Sequence, residues 1–326
     1  MRIAFAGLRH GHIFALYDMA AGNPLFEITG AFEEDEEARQ AALSRGVDCR
    51  YESYEALLAD PAVDVVALGG CYGDRGGMAV QALRAGKHVI ADKPLCTGLS
   101  ELDEIERLAK ERGLKVSCMY TMRFETKIRA VKALVESGAL GQINNVYFGG
   151  QHPLQYGRRP MWYFEEGKHG GVINDIAIHG IDVLSYALGL DVERILAARC
   201  WNKFAAAQPA FKDSAQLMLT AQNGAGILAD VSYAIPDGVE FGLPYYWQFY
   251  IWGTKGTLRF SLNEAQSHYY LSGVKEPFLL EERENDADYL TDFCALVSGG
   301  NAVLPMEDVL RATRMTLQIQ RKADTE

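Results

Sequence analysis

Two short segments of this 326-residue chain bring together lysine, aspartate and histidine, the side chains that hold and move protons. The first reads Ala85-Gly86-Lys87-His88-Val89-Ile90-Ala91-Asp92-Lys93-Pro94 and sets Lys93 at the end of an apolar run with the pattern of a strand. The C-terminal edge of a parallel sheet is where open α/β sheets bind ligands, so Lys93 is a candidate for a reacting centre; an ordinary surface lysine is the alternative. The second reads Gly170-Gly171-Val172-Ile173-Asn174-Asp175-Ile176-Ala177-Ile178-His179-Gly180-Ile181-Asp182. Asp175 and His179 are spaced for one helical face, where both can converge on a small molecule. A capping aspartate beside a satisfied histidine, or a metal-ligating pair, are the other readings; no short ligand cluster accompanies the two, and no metal is expected.

A third segment points to a nucleotide. Gly7-Leu8-Arg9-His10-Gly11-His12 follows the first apolar run at the place of a Gly-x-Gly-x-x-Gly fingerprint. Gly7 can supply the tight turn, and the helix that follows can offer its N-terminus to a diphosphate. Arg9 replaces the second glycine, and Gly11-His12 displaces the third. Glu33 closes the second strand pattern at about the spacing of the acidic residue that receives ribose hydroxyls. With Glu34 next in line and no arginine expected beside them, a 2′-phosphate would meet like charge, which favours NAD over NADP.

Apolar runs at 2–6, 27–32, 63–68, 87–91 and 114–118, with helical patterns between them, predict a doubly wound parallel sheet of the Rossmann type over 1–121. Beyond it, 122–326 predicts an α/β domain: helices at 125–137 and 174–188, a strand at 141–152, then strands at 195–201, 215–221, 226–234, 245–253, 256–262 and 267–273. Their tight spacing favours a large, mostly antiparallel open sheet arranged as a meander, with helices on one face. Helical patterns at 286–298 and 306–321 close the chain, the last expected to pack back on the first domain.

With these segments in view, the chain resembles the Gfo/Idh/MocA oxidoreductases along nearly its whole length. The resemblance rests on A-G-K-H-V-x-x-[DE]-K-P through Asp92, Lys93 and Pro94, on G-G-x-x-x-D-x-x-x-H through Gly171, Asp175 and His179, and on Tyr120, Arg123 and Phe124 just past the first domain. It implies a catalytic set of Lys93, Asp175 and His179. His179 would accept a hydroxyl proton while hydride leaves the same carbon for nicotinamide, Lys93 would stabilise charge on the substrate oxygen, and Asp175 would orient substrate or histidine. Cofactor contacts are expected from Gly7, Leu8, Arg9, His10, Gly11, His12, Glu33, Gly70, Cys71, Tyr72, Asp92 and Lys93. Gly70-Cys71-Tyr72 stands where the family has Thr-Pro-Asn, and the histidine that follows there is absent. Substrate contacts are expected from Tyr120, Arg123, His152, Tyr156, Trp162 and Asn174, since aromatic faces and forked donors suit a polyol or sugar.

Composition narrows the partners. Thirty-two basic residues against 43 acidic ones give a net charge of −11, which repels nucleic acid and anionic membranes. No apolar run approaches the roughly 20 residues of a membrane span. An N-terminus that opens directly into a strand, and six scattered cysteines without a C-x-x-C pair, point to the cytoplasm. The tyrosine- and tryptophan-rich stretch 245–252 reads as sheet core or subunit interface and suggests a homodimer or homotetramer. The leading function is a dehydrogenase acting on a sugar, inositol or related hydroxyl compound. A lyase or glycosidase that uses bound NAD transiently, and a non-catalytic nucleotide sensor, are the alternatives.

Overall fold

Five short, largely apolar runs rich in valine, isoleucine, alanine and phenylalanine build the first sheet. The computed structural model describes residues 1–325 apart from 283 and 285–287, and divides into two units: Met1–Tyr120 with Gly167–Gly170 and Ala287–Arg314, and Thr121–Glu166 with Gly171–Asp286 and Met315–Glu326. In the first unit, β1 (Arg2–Ala6), β2 (Glu27–Phe32), β3 (Val65–Leu68), β4 (His88–Ala91) and β5 (Val116–Cys118) are all parallel, in the order β2-β1-β3-β4-β5. Every side chain of β3 is buried, as expected of a strand covered on both faces.

The connecting helices are α1 (His12–Gly22), α2 (Glu36–Ser44), α3 (Tyr54–Ala59), α4 (Tyr72–Arg84) and α5 (Leu99–Arg112). Asp35 caps α2 by accepting from the Ala38 amide at 2.9 Å, Ser53 caps α3 through the Ala56 amide at 3.0 Å, and Gly113 ends α5 in the left-handed conformation. Helix α4 starts six residues before the apolar periodicity, which becomes visible only at Met78. Gly73, Gly76 and Gly77 carry no apolar signal, yet Gly76 lies close enough to Glu101 of α5 that a Cβ would sit 2.4 Å from its carboxyl carbon.

Two more helices follow late in the chain: α8 (Tyr289–Val297) and α9 (Met306–Thr325). Within the first unit the Tyr289 hydroxyl donates to Ser117 Oγ at 2.9 Å, and Arg314 on α9 reaches Asp103 and Glu106 of α5 at 2.6 and 2.8 Å. Positions 286 and 287 of the expected helix 286–298 lie outside the described residues.

The second unit carries α6 (Thr126–Glu136), α7 (Ile178–Leu188) and eight strands: β6 (Ile143–Pro153), β7 (Val192–Trp201), β8 (Ser214–Ala221), β9 (Gly226–Ile235), β10 (Gln248–Gly253), β11 (Gly256–Ser261), β12 (His268–Leu271) and β13 (Phe278–Leu279). Their order is β13-β12-β11-β10-β6-β9-β8-β7. The sheet is mostly antiparallel, but it is not the simple meander expected. Strand β6 lies between β10 and β9 and pairs with β9 in parallel, so local hairpin spacing could not reveal its place. One face is buried: Ala215, Leu217 and Leu219 of β8 point inward, while Gln216 and Met218 point out. Gly180 lets α7 lie against that face, since a Cβ there would be 2.3 Å from the Phe148 ring of β6. Among the described residues no helix is long and apolar enough to cross a membrane.

Candidate functional site

In the first unit the candidate cofactor residues gather at the C-terminal ends of β1, β2, β3 and β4. Gly7 turns the chain out of β1 at φ +74°, and a Cβ there would be 2.5 Å from the Gly70 amide nitrogen, so the loops after β1 and β3 come this close only because Gly7 has no side chain. Beside them lies a cavity of about 1110 Å³ lined by Gly7, Arg9, Glu33, Glu34, Gly70 and Cys71, among others. Glu33 is buried, and its carboxylate accepts from the Leu8 amide and, at 2.9 Å, from the Asp35 amide. Burial pushes its pKa up, against the pull of those two amides. Arginines do stand here: Arg9, Arg39 and Arg50 line the same cavity, which corrects the premise that none lies beside Glu33 and Glu34. The fold, not the sequence neighbourhood, brings them in, and two already face carboxylates, Arg9 with Asp35 and Arg39 with Glu36, each at 3.5 Å.

Asp92 lies just beyond β4 and is completely buried. Its carboxylate meets His10 Nδ1, His12 Nδ1 at 3.2 Å and Arg75 Nη2 at 3.0 Å. Burial would raise its pKa, but His10, Arg75 and His12 outweigh that and hold the carboxyl well below the usual range. Burial lowers the pKa of His10 to about 4, against the pull of Asp92. Tyr72, the first residue of α4, places its hydroxyl 3.1 Å from His10 Nε2. Arg75 was not anticipated. Its buried guanidinium donates to the carbonyls of Gly70 at 2.9 Å, Asp92 at 2.8 Å and Lys93 at 2.6 Å, and so clamps the backbone from which Lys93 projects. A lone arginine beside glycines in a sequence gives no sign of this. Lys93 is itself buried, with its ammonium 5.8 Å from the centre of the Tyr72 ring. Tyr120 is buried as well and shares a 2.7 Å hydrogen bond with Thr313.

In the second unit Asp175 and His179 are both buried. The segment Ile173–Ala177 is a π-helical turn that leads into α7, so the two residues are not stacked as in a regular α-helix. Tyr233 on β9 donates its hydroxyl to the Asp175 carboxylate, and burial with the nearby Asp175 charge keeps the phenol protonated. His179 packs edge-on against Trp247, ring centres 5.8 Å apart, and His152 packs against both Trp247 and Tyr233. Asp175, His179 and His152 therefore share one aromatic cluster. Tyr233 and Trp247 were missed because only the register of the sheet brings strands to α7.

The other expected substrate residues of this unit are placed differently. Arg123 is buried in an ion pair with Asp182, 2.7 Å at the closest atoms, and its guanidinium lies over the Tyr186 ring. Asn174 is buried, with its backbone amide on Gln320. Trp162 is buried against Tyr163, whereas Tyr156 is exposed and packs on Phe164.

A five-stranded parallel nucleotide-binding sheet, joined in one chain to a large and mostly antiparallel sheet, defines a two-part oxidoreductase architecture. The chain belongs to the GFO/IDH/MocA family: residues 1–120 match the oxidoreductase family's NAD-binding Rossmann fold, and residues 128–259 match the GFO/IDH/MocA C-terminal domain. It is 31% identical over 224 residues to D-apiose dehydrogenase of Rhizobium rhizogenes, covering 66% of this chain and 60% of that one. It is 26% identical over 198 residues to myo-inositol 2-dehydrogenase of Thermotoga maritima, covering 60% and 58%. The chain thus spans about three-fifths of the length of these curated relatives. A solved oxidoreductase from Agrobacterium radiobacter, in complex with NAD+, L-tartaric acid and magnesium, shares the fold with a TM-score of 0.79 and 23% identity over 99% of this chain and 96% of that one.

Proposed function

We propose that this protein is an NAD-dependent dehydrogenase that transfers hydride between a sugar, inositol or related polyol hydroxyl and nicotinamide. The observation that carries the reading is the buried Asp175–Tyr233 hydrogen bond beside His179, in a chain whose other unit has a dinucleotide fold with Lys93 just beyond β4. The cavity at Gly7 and Glu33 has the size and the polar lining for the adenosine half of a dinucleotide. There Glu33 would receive ribose hydroxyls, and the amides at the start of α1 would face the diphosphate. The bound nicotinamide supplies the hydride acceptor or donor.

The chain's own residues do the rest. His179 takes the proton of the substrate hydroxyl as base, Lys93 holds the same oxygen and stabilises its negative charge, and Asp175, fixed by Tyr233, orients the substrate or the imidazole. His152, which adjoins the same aromatic cluster, is the nearest candidate for a second substrate contact. NAD is favoured over NADP because Glu33 and Glu34 stand at the ribose end, and Arg9 and Arg39 are engaged with Asp35 and Glu36. The test is NADH formation by the purified protein with a panel of inositols, pentoses and hexoses, alongside titration of both cofactors. Absence of any nucleotide reduction across the panel overturns the dehydrogenase reading, and equal or tighter NADP binding overturns the role of Glu33.

A further inference from the structure

The loop after β1, the first residue of α1 and the residue just beyond β4 bring two imidazoles and a carboxylate to one point. We propose that His10, His12 and Asp92 form a binding site for a first-row divalent cation of the zinc type. His10 Nδ1, His12 Nδ1 and a carboxylate oxygen of Asp92 all lie within 4.8 Å of one another, and His12 Nδ1 is 3.2 Å from Asp92 Oδ1. Ligand atoms each about 2.0–2.2 Å from one tetrahedral ion stand roughly 3.3–3.6 Å apart, so small side-chain rotations suffice to form the set.

The outer partners that ligands need are already in place. His10 has its second ring nitrogen 3.1 Å from the Tyr72 hydroxyl, and Asp92 is held from behind by Arg75 at 3.0 Å. Binding needs no net loss of protons from neutral imidazoles: the ring proton leaves Nδ1 for Nε2, and on His10 it then points at the Tyr72 oxygen. The His12 side chain is half-exposed, which gives the ion an entry path and leaves coordination positions for water or a ligand.

The donor set also selects the metal. Arg75 already balances the single charge of Asp92, so two imidazole nitrogens carry most of the affinity. That favours zinc, cobalt or nickel over magnesium or calcium, which demand oxygen ligands. The same three residues are expected nucleotide contacts, so metal binding is measured on nucleotide-free protein, where its outcome is read apart from that of the proposed dehydrogenase activity.

The test uses the full chain, stripped of metal with a chelator and dialysed. Calorimetry with zinc chloride should show one equivalent bound per chain, and cobalt chloride should give visible ligand-field absorption bands. His12→Ala should weaken zinc binding at least about tenfold, and so should His12→Gln, whose amide can still reach Asp92 but cannot replace the imidazole; Tyr72→Phe should cost about tenfold through the lost outer partner. Retention of fold in each variant is read by circular dichroism. Failure of the wild-type protein to bind zinc or cobalt overturns the site, and so does binding that both His12 variants leave unchanged, which would assign the metal to other groups on the chain.

Discussion

The Tyr233 hydroxyl donates to the carboxylate of Asp175, although 58 residues separate them and one sits on a strand while the other lies in a π-helical turn. Hydrogen bonds to a charged group contribute about 1.5–3 kcal/mol. Tyr233→Phe removes this one donor and little volume. If Asp175 orients the reacting groups, kcat should fall about ten- to hundredfold, with KM and NAD affinity changing much less. Steady-state kinetics read that split; a fall in thermal stability with unchanged kcat would mean that the bond serves only the fold.

His179→Asn keeps some hydrogen bonding but loses the base, and a kcat loss of about 10²- to 10⁴-fold is expected. Lys93→Met should do comparable damage by removing a donor and a positive charge. Nucleotide affinity, measured separately by fluorescence titration, should hardly change in His179→Asn. Near wild-type turnover in both variants would displace the catalytic assignment.

The Arg123–Asp182 pair is a stability device on its geometry. Both side chains are buried, and Arg123 Nε lies 3.0 Å from each Asp182 oxygen. Asp182→Leu leaves the guanidinium buried without its counter-charge and should cost about 3–5 kcal/mol. Urea unfolding of the variant measures it, and a loss below about 1 kcal/mol would show that other groups satisfy Arg123.

One face of the large sheet exposes Leu196, Met218, Leu228 and Trp252, which line an open depression of about 460 Å³ with their neighbours. An apolar patch of this kind marks a contact surface, and a second copy of the chain is the expected occupant. Light scattering should give a dimer or tetramer at micromolar concentration, and Leu228→Glu should shift it toward monomer. A wild-type monomer would rule the interface out.

His88 sets a pH limit on stability. Its Nδ1 accepts the Lys115 amide at 2.9 Å, an interaction open only to the uncharged ring, and burial lowers its pKa below 6.5. The unfolded chain therefore binds more protons just below pH 6.5, and stability should decline as the pH falls through that window, while it is fully present above it. Urea midpoints between pH 7.5 and about 5 should drop more steeply for wild type than for His88→Asn; parallel slopes would remove His88 as the cause.

The parallel sheet was legible because its strands are short, largely apolar runs with helical patterns between them, a pattern that depends on neighbours in the chain. The same holds for the segments around Lys93 and around Asp175 and His179, where residue type and spacing alone raise the chemistry. The tertiary structure decided what depends on distant pairing. It inserted β6 between β9 and β10, because a parallel partner leaves no hairpin in the sequence. It brought Tyr233 to Asp175 through the register of β9, set Arg75 against four carbonyls, and lined the Glu33 cavity with arginines from α2 and two loops. Local periodicity records which residues must be buried; which buried groups meet is settled only when the strands choose their neighbours.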